Sequence, residues 1–172
     1  MGDIYLYVGT GAGKTTAAFG LALRALGHDK KVVIIQFIKG RKDIGEYKIQ
    51  KKLKNFKIYQ FGRKEFVNPK KFEQIDYQFA REGLEFIGKV IKEKPFLLIL
   101  DEINLAASKS GLINPKEVIK ILKKIKKISK NTHIVLTGRY APKEFYKIAD
   151  FVNEVKFVKM PKKLRTIRGI QY

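Results

Sequence analysis

Two rhythms of apolar residues alternate along the chain. Short continuous runs rich in β-branched and aromatic residues occur at Ile4-Tyr5-Leu6-Tyr7-Val8, Val32-Val33-Ile34-Ile35, Phe96-Leu97-Leu98-Ile99-Leu100 and 132–137. Between them, apolar residues recur every three or four positions, the spacing that puts them on one side of a helix. Unbroken apolar runs predict strands covered on both faces, the condition of a parallel sheet. Helices are expected over Thr15 to Leu26, stopped by Gly27; from about Pro69 to Glu93, on a ridge of Phe72, Ile75, Phe79, Phe86, Ile87 and Val90; over Pro115 to Lys127, with Val118, Ile121, Leu122 and Ile125 inward; and briefly over Pro142 to Ile148. Further strands are expected over Phe56 to Phe61 and Phe151 to Val158. The charged segment 41–54 fits either a flap or a short helix. Strands alternating with helices predict an α/β fold, a mostly parallel sheet with helices on both faces, as one domain over residues 1–158 followed by a basic tail, 159–172.

The first strand breaks at once into Gly9-Thr10-Gly11-Ala12-Gly13-Lys14-Thr15-Thr16. Glycines at alternate positions let consecutive N–H groups turn inward around an anion, and the helix that follows adds its own unpaired N–H groups and dipole. Lys14 supplies a mobile charge, and Thr15 a hydroxyl placed as a Mg²⁺ ligand in phosphate-loop proteins. The generic spacing G-x-x-x-x-G-K-[ST] is not met, because Val8 stands where the first glycine would be and Gly9 comes one position later. A tighter loop, or an altered pose of the bound phosphates, is expected.

The apolar run 96–100 ends in Asp101-Glu102. Acids at that point can hold Mg²⁺ directly or through water, while in hydrolysing ATPases the second often orients a water. The strand over 132–137 ends in Thr137-Gly138-Arg139, which sets an arginine to pair with phosphate oxygens or to form a simple salt bridge. In doubly wound sheets the loops at the carboxyl ends of strands line the ligand crevice. Gln36-Phe37-Ile38-Lys39-Gly40 and Gly62-Arg63-Lys64-Glu65-Phe66 are candidates on that ground, as is the small, polar stretch Ala106 to Gly111.

Composition narrows the chemistry. A chain of 172 residues fits a single domain. The absence of cysteine removes disulfides, thiolate ligands and thiol nucleophiles. His28, in a turn, and His133, in a strand, are expected to be structural. The formal charge of +21 raises nucleic-acid binding. Its distribution argues against it, since Lys116, Lys120, Lys123, Lys124, Lys126 and Lys127 line the polar side of one helix rather than forming arginine and aromatic clusters. No secretory pattern or membrane-length apolar run is present, so a cytoplasmic protein without membrane contact is expected.

Four blocks, Gly-Thr-Gly-Ala-Gly-Lys-Thr-Thr-Ala-Ala-Phe-Gly at 9–20, Leu-Asp-Glu-Ile-Asn-Leu-Ala at 100–106, Leu-Thr-Gly-Arg-Tyr-Ala-Pro at 136–142 and Ala-Asp-Phe-Val-Asn-Glu at 149–154, resemble the ATP:corrinoid adenosyltransferase family of the phosphate-loop type. The shortened loop is also that family's loop, and Arg24 falls on its Arg-Ala-x-Gly-His segment. The resemblance implies a P-loop NTPase-like (RecA-like) fold and transfer of the 5′-deoxyadenosyl group of ATP to Co(I) of a corrinoid, with triphosphate leaving whole. It implies that Gly9, Thr10, Gly11, Ala12, Gly13 and Thr16 cradle phosphates and that Arg24 reaches the nucleotide. Lys14, Arg139 and a Mg²⁺ held through Thr15 and Glu102 would stabilise the leaving group, with Asp101 a metal ligand or one contact removed. It also implies a homodimer and a reductase that delivers Co(I).

Ala12 stands where the family's loop usually has lysine. The family's tryptophan-containing aromatic pair on the corrinoid side is replaced by Phe61 and Phe66, and Gln171 stands where the family shows glutamate. The two competing functions are a hydrolysing ATPase that binds nucleic acid and a small-molecule phosphotransferase with Asp101 or Glu102 as base.

Overall fold

The computed structural model describes residues 1–65, 67–69, 71–109, 111–163 and 166–170. Six strands, β1 (Ile4–Val8), β2 (Val32–Phe37), β3 (Phe56–Phe61), β4 (Leu97–Asp101), β5 (His133–Thr137) and β6 (Phe151–Glu154), form one sheet in the order β3-β2-β4-β5-β1-β6. Every neighbouring pair is parallel. The helices are α1 (Lys14–Leu26), α2 (Gly45–Ile49), α3 (Gln74–Val90), α4 (Ile103–Ala106), α5 (Pro115–Ile128) and α6 (Lys143–Ile148).

Alternation along the strands builds two cores. Val32 and Ile34 of β2, with Ile99 of β4 and Val135 of β5, pack under Ala18, Ala22 and Ala25 of α1. Val33, Ile35, Leu98, Leu100 and Leu136 face the other way, against Leu84, Ile87 and Val90 of α3, Val118, Leu122 and Ile125 of α5, and Phe145 of α6. Burial of both faces is why β2 and β4 read as unbroken apolar runs. The small residues on α1 let that helix lie close to the sheet. This carries its N-terminus, and the loop before it, to the carboxyl ends of the strands.

Differences from the sequence expectations have local causes. The long helix starts at Gln74 rather than near Pro69, because Glu73 and Asp76 form a reciprocal capping box there. Arg63 fixes that box by donating to Asp76 at 2.9 Å and to Glu73 at 2.8 Å. The charged 41–54 segment contains the short helix α2. β6 ends at Glu154 rather than Val158, and all four of its residues are exposed at the sheet edge. The 106–111 stretch was expected to line the crevice, but its first two residues, Ala106 at the end of α4 and Ala107 after it, are fully buried in the core. The ring of His133 accepts the Asp3 N–H, a structural role. Among the described residues, no helix is long and apolar enough to cross a membrane.

Candidate active site

The glycine loop leaves β1 at Gly9, whose φ of 105° lies in the region that side chains rarely adopt. It then runs against the segment after β6: Gly11 N–H donates to the Val155 carbonyl at 2.9 Å. A Cβ on Gly9 would stand 2.2 Å from that same carbonyl oxygen. Gly9→Ala should therefore cost about 2 kcal/mol or more from backbone strain and overpacking together. The expected fall in Tm is roughly 4–8 °C or more by thermal unfolding, and an unchanged Tm would show that the loop is not held there.

Gly13, at φ 109°, precedes α1, and no side chain caps the helix start. The first-turn N–H groups are thus presented to whatever occupies the loop. Lys14 is buried, and its Nζ donates to the Gly11 carbonyl at 2.6 Å across the loop. Burial lowers the pKa of this ammonium, with Glu102 opposing the shift and Arg139 adding to it. A buried cation that donates to a neutral carbonyl and, among the described residues, forms no ion pair is poised for an anion. Thr10, Ala12, Gly13 and Thr16 are exposed around it.

Four strands contribute one row of polar side chains at their carboxyl ends. The register pairs Gln36 with both Gln60 and Asp101, and Thr137 with Tyr7. Gln60 Nε2 donates to Gln36 Oε1 at 2.9 Å, and Gln36 Nε2 to Asp101 Oδ2 at 3.0 Å. Thr137 and Thr15 donate their hydroxyls to Asp101 Oδ1 at 2.6 and 2.9 Å, and Lys39 Nζ donates to Oδ2 at 2.7 Å. Asp101 is fully buried and receives four donors. Burial pushes its pKa up, but the Lys39 ammonium and the hydroxyls of Thr137 and Thr15 prevail and hold it below the ordinary carboxylate value.

Glu102 has the opposite balance. Its backbone is left-handed, φ 61°, a strained turn that swings the side chain out of the strand line. Its carboxylate comes within 3.8 Å of Lys39 Nζ, and burial together with the neighbouring Asp101 charge raises its pKa more than Lys39, Lys14 and Arg139 lower it. The two adjacent acids are thus driven apart: Asp101 is a satisfied anion inside the sheet, and Glu102 an under-compensated one at its rim. Because the Thr15 proton is given to Asp101, the Thr15 lone pairs are left for a cation. Lys39 Nζ already occupies such a position, 3.3 Å from Thr15 Oγ1. The hard-oxygen donor set of Thr15 and Glu102, with a positive group standing between them, fits a small divalent ion such as Mg²⁺.

A cavity of about 840 Å³ opens beside this cluster, lined by Lys39, Glu102 and Arg139 together with residues of the loops after β2 and β3. These two loops touch through glycines: a Cβ on Gly40 would stand 2.2 Å from the Gly62 carbonyl oxygen. Arg139 is exposed at the cavity wall, close enough to act electrostatically on Lys14 and Glu102. Asn104 ties the strand ends together by donating to the carbonyls of Tyr7 and Gly138 at 3.0 and 3.2 Å.

The structure brings together Gly9, Gly11, Gly13, Lys14, Thr15, Asp101, Glu102 and Arg139. Arg24 is exposed on the last turn of α1, within electrostatic reach of the Tyr7 hydroxyl. Phe61 is partly buried and packs, tilted by 47°, against Phe86 of α3 with ring centroids 5.5 Å apart, and it is not among the described residues that line the cavity. The end of β3 alternates, and this position points toward the helix layer. Phe66 lies outside the described residues. Gln36 and Lys39 belonged to a candidate loop, whereas nothing in the sequence marks Thr137 or Gln60, whose part depends on strand register.

A family model described as ATP:corrinoid adenosyltransferase BtuR/CobO/CobP matches residues 1–172. A corrinoid adenosyltransferase of Sinorhizobium sp is 32% identical over 178 residues, covering 99% of this chain and 80% of that protein. One from Pseudomonas aeruginosa is 30% identical over 174 residues, covering 99% and 84%. One from Escherichia coli K12 is 30% identical over 163 residues, covering 92% and 78%. A match along the whole length, on a fold whose glycine loop, paired acids and arginine converge at one end of a parallel sheet, has one conclusion: the chain belongs to the ATP:corrinoid adenosyltransferase BtuR/CobO/CobP family.

Proposed function

We propose that the protein transfers the 5′-deoxyadenosyl group of ATP to Co(I) of a corrinoid, with the triphosphate departing as one anion. The observation that carries the reading is that the anion cradle and the large cavity share a wall: Lys39, Glu102 and Arg139 belong to the cavity lining and act electrostatically on the loop lysine or its acid partners. A triphosphate in the loop and a second, bulky substrate in the cavity would therefore meet at the strand ends.

Co(I) supplies both electrons of the new bond to C5′, and the electron pair of the broken C5′–O bond leaves with the triphosphate. No proton has to move, so no general base is required of this chain. What the residues must do is hold the triphosphate and stabilise the charge that gathers on it. Lys14, the N–H groups from Ala12 to Thr16, and Arg139 are placed for that. Thr15 and Glu102 would hold Mg²⁺, with Asp101 fixing the orientation of the Thr15 hydroxyl; when bound, the ion supplies further positive charge to the leaving group. Arg24 would contact the nucleotide from α1. The same reading takes residues 1–158 as the working domain, with the basic tail outside it. The working form is taken to be a cytoplasmic homodimer served by a reductase that delivers Co(I), on the strength of the family likeness.

Anaerobic incubation with ATP, Mg²⁺ and chemically reduced cobalamin, with identification of both products, tests the proposal. Triphosphate in equal amount to an adenosylated corrinoid is expected. ADP and phosphate in place of triphosphate would overturn it in favour of a hydrolysing enzyme.

A further inference from the structure

The sequence gives no reason to expect a lysine among the acids, yet Lys39 is built into them with care. Ile38, the residue before it, has φ 61°, a conformation that a β-branched residue rarely takes. That turn folds the chain back at the end of β2 and is held by Ile38 N–H donating to the Phe61 carbonyl at 2.9 Å. The Gly40–Gly62 contact pins the other side. Glu102, at the end of the neighbouring strand, has the same φ of 61°. Two strained turns on adjacent strands thus aim an ammonium and a carboxylate at each other. The ammonium sits 2.7 Å from Asp101 Oδ2, 3.3 Å from Thr15 Oγ1 and 3.8 Å from Glu102 Oε1. Two of these, Thr15 and Glu102, are the side chains that the proposed function assigns to the nucleotide's divalent ion, and the third, Asp101, orients the Thr15 hydroxyl.

We propose that Lys39 is a tethered counter-ion that occupies the divalent-cation position when no nucleotide is bound and competes with the free ion for it. A hydrated divalent ion arriving alone must displace an ammonium already paired with Asp101 and tethered at high effective concentration. An ion arriving with a triphosphate brings anionic oxygens of its own, which offer the displaced ammonium a new partner. Lys39, its side chain 29% exposed, lines the cavity, so the ammonium has room to swing toward it. Lys39 thereby makes metal binding conditional on nucleotide, and it is a positioning residue for the acids in between.

This inference rests on the assignment of Thr15 and Glu102 to the metal, and the test separates the two. Free Mn²⁺ is measured by electron paramagnetic resonance as it is titrated into wild type, Lys39→Met and Lys39→Gln, without nucleotide and then with ATP. Lys39→Gln keeps a donor for Asp101 but no charge, and guards against a Lys39→Met protein that fails to fold. Both variants should bind one Mn²⁺ at least tenfold more tightly than wild type in the absence of nucleotide, and adding Glu102→Gln should abolish the gain. Where a variant is only marginally folded, the same gain reads as a rise in Tm with Mn²⁺ that wild type does not show. Equal Mn²⁺ affinity in variants and wild type, with wild type still binding Mn²⁺ together with ATP, overturns the role of Lys39 alone. Failure of wild type to bind Mn²⁺ even with ATP overturns both the metal assignment and this inference.

Discussion

Replacing Lys14 by alanine is expected to lower kcat at saturating ATP by about two to three orders of magnitude, the range typical for loss of one preorganised donor at a developing negative charge. The expectation follows from how the ammonium is held. Its Nζ lies in the loop and donates to the neutral Gly11 carbonyl at 2.6 Å, and burial works against its charge. Such a group gains little from the free protein and much from an anion, and it gains most when that anion acquires charge on leaving the sugar. The loop itself does not depend on it. Gly11 remains pinned through its N–H to Val155, and the Gly9 turn is set by backbone packing. Tm should therefore shift by only a few degrees while turnover collapses. A kcat within threefold of wild type, with triphosphate still the product, would remove Lys14 from the chemistry.

The contrast between Lys14 and Lys39 shows what the amino-acid order could and could not convey. Lys14 is legible because its neighbours in sequence are its neighbours in space: the strand, the glycine turn and the helix start that make it functional are contiguous. The acids at 101 and 102 are legible for the same reason, as the polar end of an apolar run. The fold class follows from the two hydrophobic rhythms, and the strand over Phe56 to Phe61 is placed to the residue. What the order hides is register. Gln60, Gln36, Asp101 and Thr137 form one row only because four parallel strands align there. The start of α3 is hidden too, because Arg63, ten residues before Glu73 along the chain, takes part in fixing the cap. The side to which Phe61 turns is hidden as well, because an aromatic at the end of a strand serves equally to floor a ligand site or to pack a helix, and its ring meets Phe86 of α3.

Asp101→Ala should destabilise the protein by about 3–5 kcal/mol, the cost of leaving a buried ionic partner unpaired. For a chain of this size that lowers Tm by roughly 6–20 °C. The carboxylate is the one acceptor on which Thr15, Thr137, Gln36 and Lys39 all converge, so its loss strands three neutral donors and a cation together. Asp101→Asn should fare little better, because its NH₂ would face the donors of Lys39 or of the threonines. The pH dependence carries a sign. Asp101 is held below its ordinary value of 3.8, so its contribution is complete above that pH and disappears as pH falls through the lower, folded value. Lys39 is held above 10.5 because Asp101 and Glu102 outweigh the effect of its burial, so its contribution is complete below 10.5 and is lost as pH rises through its folded value. Above the raised Glu102 value and up to about pH 10 the stability gap between wild type and Asp101→Ala should thus be level, and it should close as pH falls through the folded Asp101 value. Chemical denaturation of both proteins across that range measures it. A gap under 1 kcal/mol at pH 7, or one that persists once pH has fallen through the folded Asp101 value, would mean that the buried row is not what joins the four strand ends, and the site built on it would lose its foundation.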